Sequence, residues 1–250
     1  MDADTALCPG ALERAGSLVH RYDLDVLTAV PRQETLTWLE RLVVPFLHVI
    51  YASWLPMVLV HRSQDPKFLA ANGQFLMVSS GGYDACGGFE AVRNAIVDDM
   101  AFCANAKGNG LKVLFADGHH LSRCRMYTSA SEVWQGFSKN LYEGIGSHPL
   151  ALIATLALLG CTFVAPVLLL ALSPLLPALF VPAAVGTAAL FAQRVLLAFR
   201  HKHPLSSVLL HPVAALAVMA IAVNSARWHL RGTVRWAGRT YEGGQHRRTT

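Results

Sequence analysis

Apolar and polar positions divide the chain into two parts. From residue 1 to 147 short apolar runs alternate with polar ones, as in a globular domain, with one continuous apolar patch at 42–60. From 148 to 226 charge almost vanishes. In the first part, Leu12, Ala15 and Val19 recur on one helical face. Asp4 or Thr5 can cap that helix ahead of Pro9, because proline is tolerated in a first helical turn. Residues 24–30 read as a strand closed by Pro31, and 34–41 as a helix leading into the apolar patch. Pro45 and Pro56 interrupt the patch and exclude a regular spanning helix. A kinked helix in a membrane interface fits it, with Trp38, Tyr51 and Trp54 at headgroup depth. Residues 74–79, 111–116 and 121–126 read as strands, and Gly81-Gly82 and Gly87-Gly88 bracket a short helix. A helix over 98–107 ends at Gly108 and Gly110, and Ser131 is placed to cap another with Val133, Trp134, Phe137 and Leu141 along one side. Alternating short strands and helices predict an α/β domain.

The second part predicts membrane helices. Residues 149–172 carry no charge and are long enough to cross, since about 20 residues span the hydrocarbon. Residues 174–199 form a second span with Gln193 and Arg194 near one end, and 205–223 a third, interrupted at His211-Pro212. With the first part cytoplasmic, the basic link Arg200-His201-Lys202-His203 returns to the cytoplasm as the positive-inside rule requires. A third full crossing would then carry the arginine-rich tail outside, against that rule. Either the third segment is re-entrant, or the proline-rich 173–183 stretch makes an additional crossing.

Composition agrees with this division. The chain is 53% hydrophobic and 15% charged, against about 25% charge in soluble domains. The net charge of +5 comes largely from Arg227, Arg231, Arg235, Arg239, Arg247 and Arg248 in the tail. Arginines beside an apolar segment mark a membrane flank, whereas a nucleic-acid surface needs basic residues interleaved with a reading surface, so nucleic acid is not an expected partner. Cys8, Cys86, Cys103, Cys124 and Cys161 are odd in number and scattered without a CxxC pair. That spacing favours neither a zinc site nor a disulfide scaffold, and indicates a reducing compartment. Met1 opens directly onto Asp2-Ala3-Asp4 with no leader-like segment, and no strand precedes that carboxylate pair. The expectation is an α/β domain whose beginning is missing.

Three polar clusters carry candidate chemistry. The carboxylates of Asp2 and Asp4 suit a hard divalent cation, Mg²⁺ or Mn²⁺, that would neutralise a diphosphate; the plainer reading is a cap or a solvated turn. Asp98-Asp99 closes the apolar run Ala95-Ile96-Val97 and opens a helix. Acidic residues there are favoured by the helix dipole without any catalytic role. Their chemical reading is a general base, with adjacent like charges raising one pKa. Gln135-Gly136-Phe137-Ser138-Lys139-Asn140 precedes the first span. It reads either as the polar face of an interfacial helix anchored by Trp134 and Phe137, or as donors from Gln135 and Lys139 to a diphosphate or acceptor. The three clusters are expected to converge on one site against a membrane.

In this order the clusters resemble the membrane-bound family 2 glycosyltransferases, whose pattern is a DxD, an ED-type acidic pair, a QxxRW-type motif and then membrane helices. Val30-Pro31-Arg32-Gln33-Glu34, Asn72-Gly73-Gln74-Phe75, Gly87-Gly88-Phe89 and Trp236-Ala237-Gly238-Arg239-Thr240-Tyr241 resemble the hopanoid-associated or ceramide-glucosyltransferase-like subgroup. The resemblance implies a partial GT-A (Rossmann-like) domain, with residues 1–147 as its C-terminal half and the nucleoside-binding half before Met1. Transmembrane helices at 148–226 and a basic tail at 227–250 would follow. It implies that Asp2 and Asp4 hold the metal and the diphosphate of a nucleotide-sugar donor, a UDP-sugar, and that Asp99 is the base of an inverting transfer to a lipid or lipid-linked hydroxyl. Asp98, Gln135, Lys139 and Asn140 would contact substrate, and the 42–60 stretch would line lipid access. The setting implied is the inner cell membrane, multi-pass, with the catalytic part cytoplasmic. Asp98 replaces the usual Glu, Lys139 the Arg and Asn140 the Trp. Lysine lacks the guanidinium fork for bidentate phosphate contact, and the missing aromatic argues against a processive synthase. The alternative is a truncated, non-catalytic multi-pass protein that keeps the fold. A transporter would need more ionisable residues within the spans than His211 and Arg194.

Overall fold

The computed structural model describes residues 2–95, 97–236 and 239–241, with 234–236 and 239–241 described by backbone alone. Ile96 of the apolar run, Ala237 and Gly238 of the Trp236-to-Tyr241 motif, and the tail from 242, including Arg247 and Arg248, lie outside the described residues. The first elements are β1 (Thr5–Leu7), α1 (Ala11–Tyr22), β2 (Val26–Gln33), α2 (Trp38–Val43), α3 (Phe46–Trp54), α4 (Met57–Arg62), β3 (Leu76–Val78) and α5 (Ser80–Ala85). They are followed by α6 (Asp98–Gly108), β4 (Val113–Cys124) and α7 (Ala130–Gly144). The apolar part holds α8 (Pro149–Leu159), α9 (Ala165–Leu172), α10 (Phe180–His201), α11 (Ser206–Leu209) and α12 (His211–Leu230), and the hairpin β5 (Val234–Trp236) and β6 (Arg239–Tyr241) comes last. The chain forms two units: Met1–Thr35 with Ile50–Met126, and Leu36–Val49 with Tyr127–Thr250. These units part after Met126, and the 42–60 stretch is shared between them.

The α/β unit is built on a four-stranded sheet of order β1-β4-β2-β3. Its central pair, β2 and β4, is parallel, and both outer strands run antiparallel to their neighbours. The run Val26–Pro31 is buried throughout, as expected for a central strand covered on both faces. One face packs Val26, Phe102, Cys103, Ala106 and Val113, carrying α6. The other packs Leu27, Ala29, Ala15, Phe75 and Leu121, carrying α1. Leu12, expected on the buried face of α1, is exposed, and Ala11 and Ala15 are buried instead.

Pro31 does not close β2. The strand continues to Gln33 across a register shift between Pro31 and Arg32, where Pro31 pairs with Gly118 and Arg32 with Arg123. A proline cannot donate to the ladder, and a bulge is where a strand tolerates it. The same shift merges the two strands expected at 111–116 and 121–126 into one, β4. Gly118 is required there: a Cβ would lie 2.9 Å from both the Ala29 Cβ and the Val30 carbonyl oxygen.

In the helical unit, α7 packs on α12 through small and polar groups. The Tyr142 N–H donates to Ser225 Oγ at 2.9 Å, and Asn224 Nδ2 donates to Ser138 Oγ at 3.0 Å. Ser129, not Ser131, caps α7, accepting the Glu132 N–H. Among the described residues three segments are long and apolar enough to cross a membrane: Pro149–Leu172, Pro177–His201 and His211–Leu230. The first continues through a π turn at Gly160–Val164. Pro166 follows that turn and cannot donate a helical hydrogen bond, and π bulges relieve such positions. The third begins at His211-Pro212, with proline in the first turn, so the break expected inside a span is the start of one. Residues 173–179 form a turn and a short 3₁₀ helix, too short for an additional crossing.

Candidate active site around Asp99

Asp99 lies in the first turn of α6, with its side chain half-buried. Asp99 Oδ2 accepts the Gly73 N–H at 2.7 Å, and Oδ1 accepts the Met100 N–H at 2.8 Å. Both oxygens are thus oriented by backbone donors. Burial pushes its carboxyl above the ordinary aspartate range; the two N–H donors oppose this, and Asp98 adds to it. The sequence attributed such a rise to the adjacent like charge, whereas desolvation is the larger cause. Asp98 is exposed and accepts the Asp99 N–H at 3.0 Å through Oδ1.

The segment facing Asp99 is tied down residue by residue. The Thr28 hydroxyl donates to the Asn72 carbonyl at 3.0 Å and accepts the Asn72 N–H at 2.8 Å. Asn72 Oδ1 accepts the Gln74 N–H at 3.0 Å, and Gln33 Nε2 donates to Gln74 Oε1 at 2.7 Å. Gly73 is pressed against the carboxylate: a Cβ there would lie 3.2 Å from the Asp99 Cβ. The other end of α6 grips the same chain segment. Lys107 Nζ donates to the carbonyls of Val60 (2.6 Å), Ser63 (3.1 Å) and Phe68 (2.7 Å).

Tyr51, expected at headgroup depth, packs beside this site. Its ring packs edge-on against Phe115 with centroids 5.1 Å apart. Burial pushes its hydroxyl up to about 12, the Asp99 charge adds to the rise, and a hydrogen bond with the Asn72 side chain opposes it. The sequence shows Tyr51 only as an aromatic in an apolar stretch, and no spacing signal links it to Asp99.

Asp2 and Asp4 precede β1. Thr5 does not cap a helix: it pairs with Cys124 in the sheet, and the residue before α1 is Gly10 in the left-handed region, φ 69°. The Asp2 carboxyl is raised, first by desolvation and then by the charges of Asp4, Asp99 and Asp98. Its side chain is exposed, so the four carboxylates share one electrostatic neighbourhood at the surface. Among the described residues no group of three or more His, Cys, Asp or Glu side chains is placed to hold a metal ion. A pair of carboxylates still fits Mg²⁺, which commonly takes one or two protein carboxylates together with substrate phosphates.

Comparison with family models, curated proteins and solved structures found no match for this chain. A cavity of about 650 Å³ in the α/β unit lies elsewhere, lined by Leu18, Tyr22, His61, Lys107, Lys112 and Asp117 among others. It contains none of the four carboxylates.

Gln135, Lys139 and Asn140 lie on α7 in the helical unit. Gln135 is exposed and donates to Ser131 Oγ at 3.0 Å. Lys139 is half-buried and engaged with other groups. Asn140 Oδ1 is buried without a hydrogen-bond partner. The residues between them are structural. Gly136 lies against the Tyr127 ring, where a Cβ would come within 2.3 Å of the hydroxyl oxygen. Phe137 is buried and packs against Tyr127 with centroids 5.5 Å apart.

Proposed function

We propose that the chain is the membrane-associated part of a glycosyltransferase that moves a sugar from a nucleotide-sugar donor to a lipid or lipid-linked hydroxyl. The observation that carries this reading is the anchored, desolvated Asp99 carboxylate beside Asp98, Asp2 and Asp4. Asp99 takes the proton from the acceptor hydroxyl as the oxygen attacks the anomeric carbon opposite the leaving diphosphate. Its two backbone donors hold it in one orientation, and burial keeps its basicity above that of a free aspartate. Asp2 and Asp4 would hold Mg²⁺ or Mn²⁺, which supplies charge neutralisation to the leaving diphosphate. The acidic order along the chain, followed by candidate membrane helices, supports a partial GT-A domain of the membrane-bound family 2 type. Gln135, Lys139 and Asn140 are retained as candidate substrate contacts. Nucleotide-sugar donors place the catalytic part at the cytoplasmic face of the inner membrane.

The test uses the complete gene product, with any in-frame segment upstream of Met1 included, in detergent with UDP-glucose, Mn²⁺ and a membrane-lipid extract. Metal-dependent donor binding is expected by calorimetry and is lost in Asp2→Asn/Asp4→Asn. Asp99→Asn is expected to keep donor binding and lose transfer by about 100-fold or more, the scale of general-base catalysis. Absence of metal-dependent donor binding, or transfer by Asp99→Asn at the wild-type rate, refutes the reading.

A further inference from the structure

Arg194 is the largest fully buried side chain among the described residues, at 1% exposure. It sits on α10, seven residues before the helix ends at His201, or about 10 Å below that end. Its Nη2 donates to Ser207 Oγ at 3.0 Å and, at 3.4 Å, to the Ser207 carbonyl. Its Nε and Nη1 are buried with no hydrogen-bond partner, and among the described residues no carboxylate pairs with it. A guanidinium is always charged, and a buried donor left unmet costs free energy, more so when it is charged. A purely structural arginine would spend those donors on carbonyls or carboxylates.

The groups around it are polar and lack negative charge. His203 is 8% exposed and its Nδ1 has no hydrogen-bond partner. Its Nε2 lies 3.2 Å from His48 Nδ1. That contact leaves Nδ1 as the unpartnered ring nitrogen, and Nδ1 carries the proton in the tautomer in which His48 Nδ1–H points at His203 Nε2. Burial holds the His203 imidazole down at about 3, with the positive charge of Arg194 and then His201 adding to the effect. That histidine is therefore neutral near a fixed cation. The turn from His203 to Ser207 keeps the two groups close, since the Ser207 hydroxyl donates to the Pro204 carbonyl at 2.7 Å. A divalent metal is disfavoured here by the guanidinium charge.

We propose that Arg194 and His203, braced by Ser207 and His48, form a binding site for a phosphate oxyanion at the end of α10. The ligand is the phosphate of an anionic lipid headgroup or free inorganic phosphate. The location suits the headgroup: charged residues in candidate spans take buried or headgroup-level partners, and long basic side chains reach toward the interface. An oxyanion would neutralise Arg194 and accept from its Nε–H and Nη1–H donors and from His203 Nδ1–H.

The full chain in dodecyl maltoside is titrated with micelles containing phosphatidylglycerol, with phosphate-free diacylglycerol as control, and separately with inorganic phosphate. Tryptophan fluorescence reports binding. Phosphatidylglycerol is expected to bind at least tenfold more tightly than diacylglycerol, and at least tenfold more weakly in Arg194→Gln. The same dependence with inorganic phosphate alone identifies a free anion as the ligand and supports the site equally. Equal binding of both lipids with no phosphate response, or binding unchanged in Arg194→Gln, overturns it. Should that variant not fold, Arg194→Lys keeps the charge but not the Nε–H, and unchanged affinity there overturns the proposal too. The readout is binding by the helical unit, so it stands or falls separately from sugar transfer.

Discussion

At the residue scale, Asp99 shows how the same side chain reads differently once its neighbours are placed. In sequence it is one of two acids at a helix start. In the structure it alone is anchored by the Gly73 and Met100 N–H groups and raised mainly by burial. The sign of that shift gives a pH prediction. The native carboxyl holds its proton more tightly than the unfolded one, so the native state is stabilised at low pH. That stabilisation is lost as pH rises from about 3.9, the ordinary aspartate value, through the raised native one. Thermal melts from pH 3.5 to 7 should show a shallower decline in Asp99→Ala than in the wild type. A decline equally steep in both would contradict the assigned shift. Lys107 is the residue that sequence reasoning missed, being one more lysine near a helix end. Its ammonium meets three backbone carbonyls at 3% exposure. Lys107→Met strands those carbonyls and is expected to destabilise the α/β unit by about 3 kcal/mol, the scale of a charged hydrogen bond; denaturant titration measures it.

At the element scale, the helices were legible where local chemistry sets them. Thr37 and Glu40 form a capping box, with Glu40 Oε1 accepting from the Thr37 hydroxyl at 2.6 Å, so α2 starts at Trp38 and not at 34. Pro45 and Pro56 break the 42–60 stretch into α2, α3 and α4 as their missing donors require. Strand limits were less legible, because Pro31 ends a strand by propensity and only the bulge opposite Gly118 lets β2 run on. The Gln135-to-Asn140 motif divides in the same way: its polar members are candidate contacts, whereas Gly136 and Ser138 are where α7 meets Tyr127 and α12. Gly136→Ala should cost about 1–3 kcal/mol, the range for forcing atoms into a packed contact. In a Tyr127→Ala background it should cost markedly less, so a fully additive double variant would refute the assigned clash.

At the scale of the whole molecule, three candidate spans make a topological prediction. A reporter placed at Ser147 and one placed after Leu230 should read opposite sides of the membrane if all three candidate spans cross. Same-side signals would show that one of the three does not cross. The sequence by itself determined the division into a mixed α/β part and an apolar helical part, because that depends on composition, periodicity and length alone. It also singled out Asp2, Asp4, Asp98 and Asp99, whose residue types carry their chemistry wherever they are placed. Only the tertiary structure decided that Tyr51 and Gly73 come to Asp99, and that Arg194 is buried beside His203 with donors unspent. Those facts depend on long-range packing and on which polar groups lose water, and neither is written in local spacing.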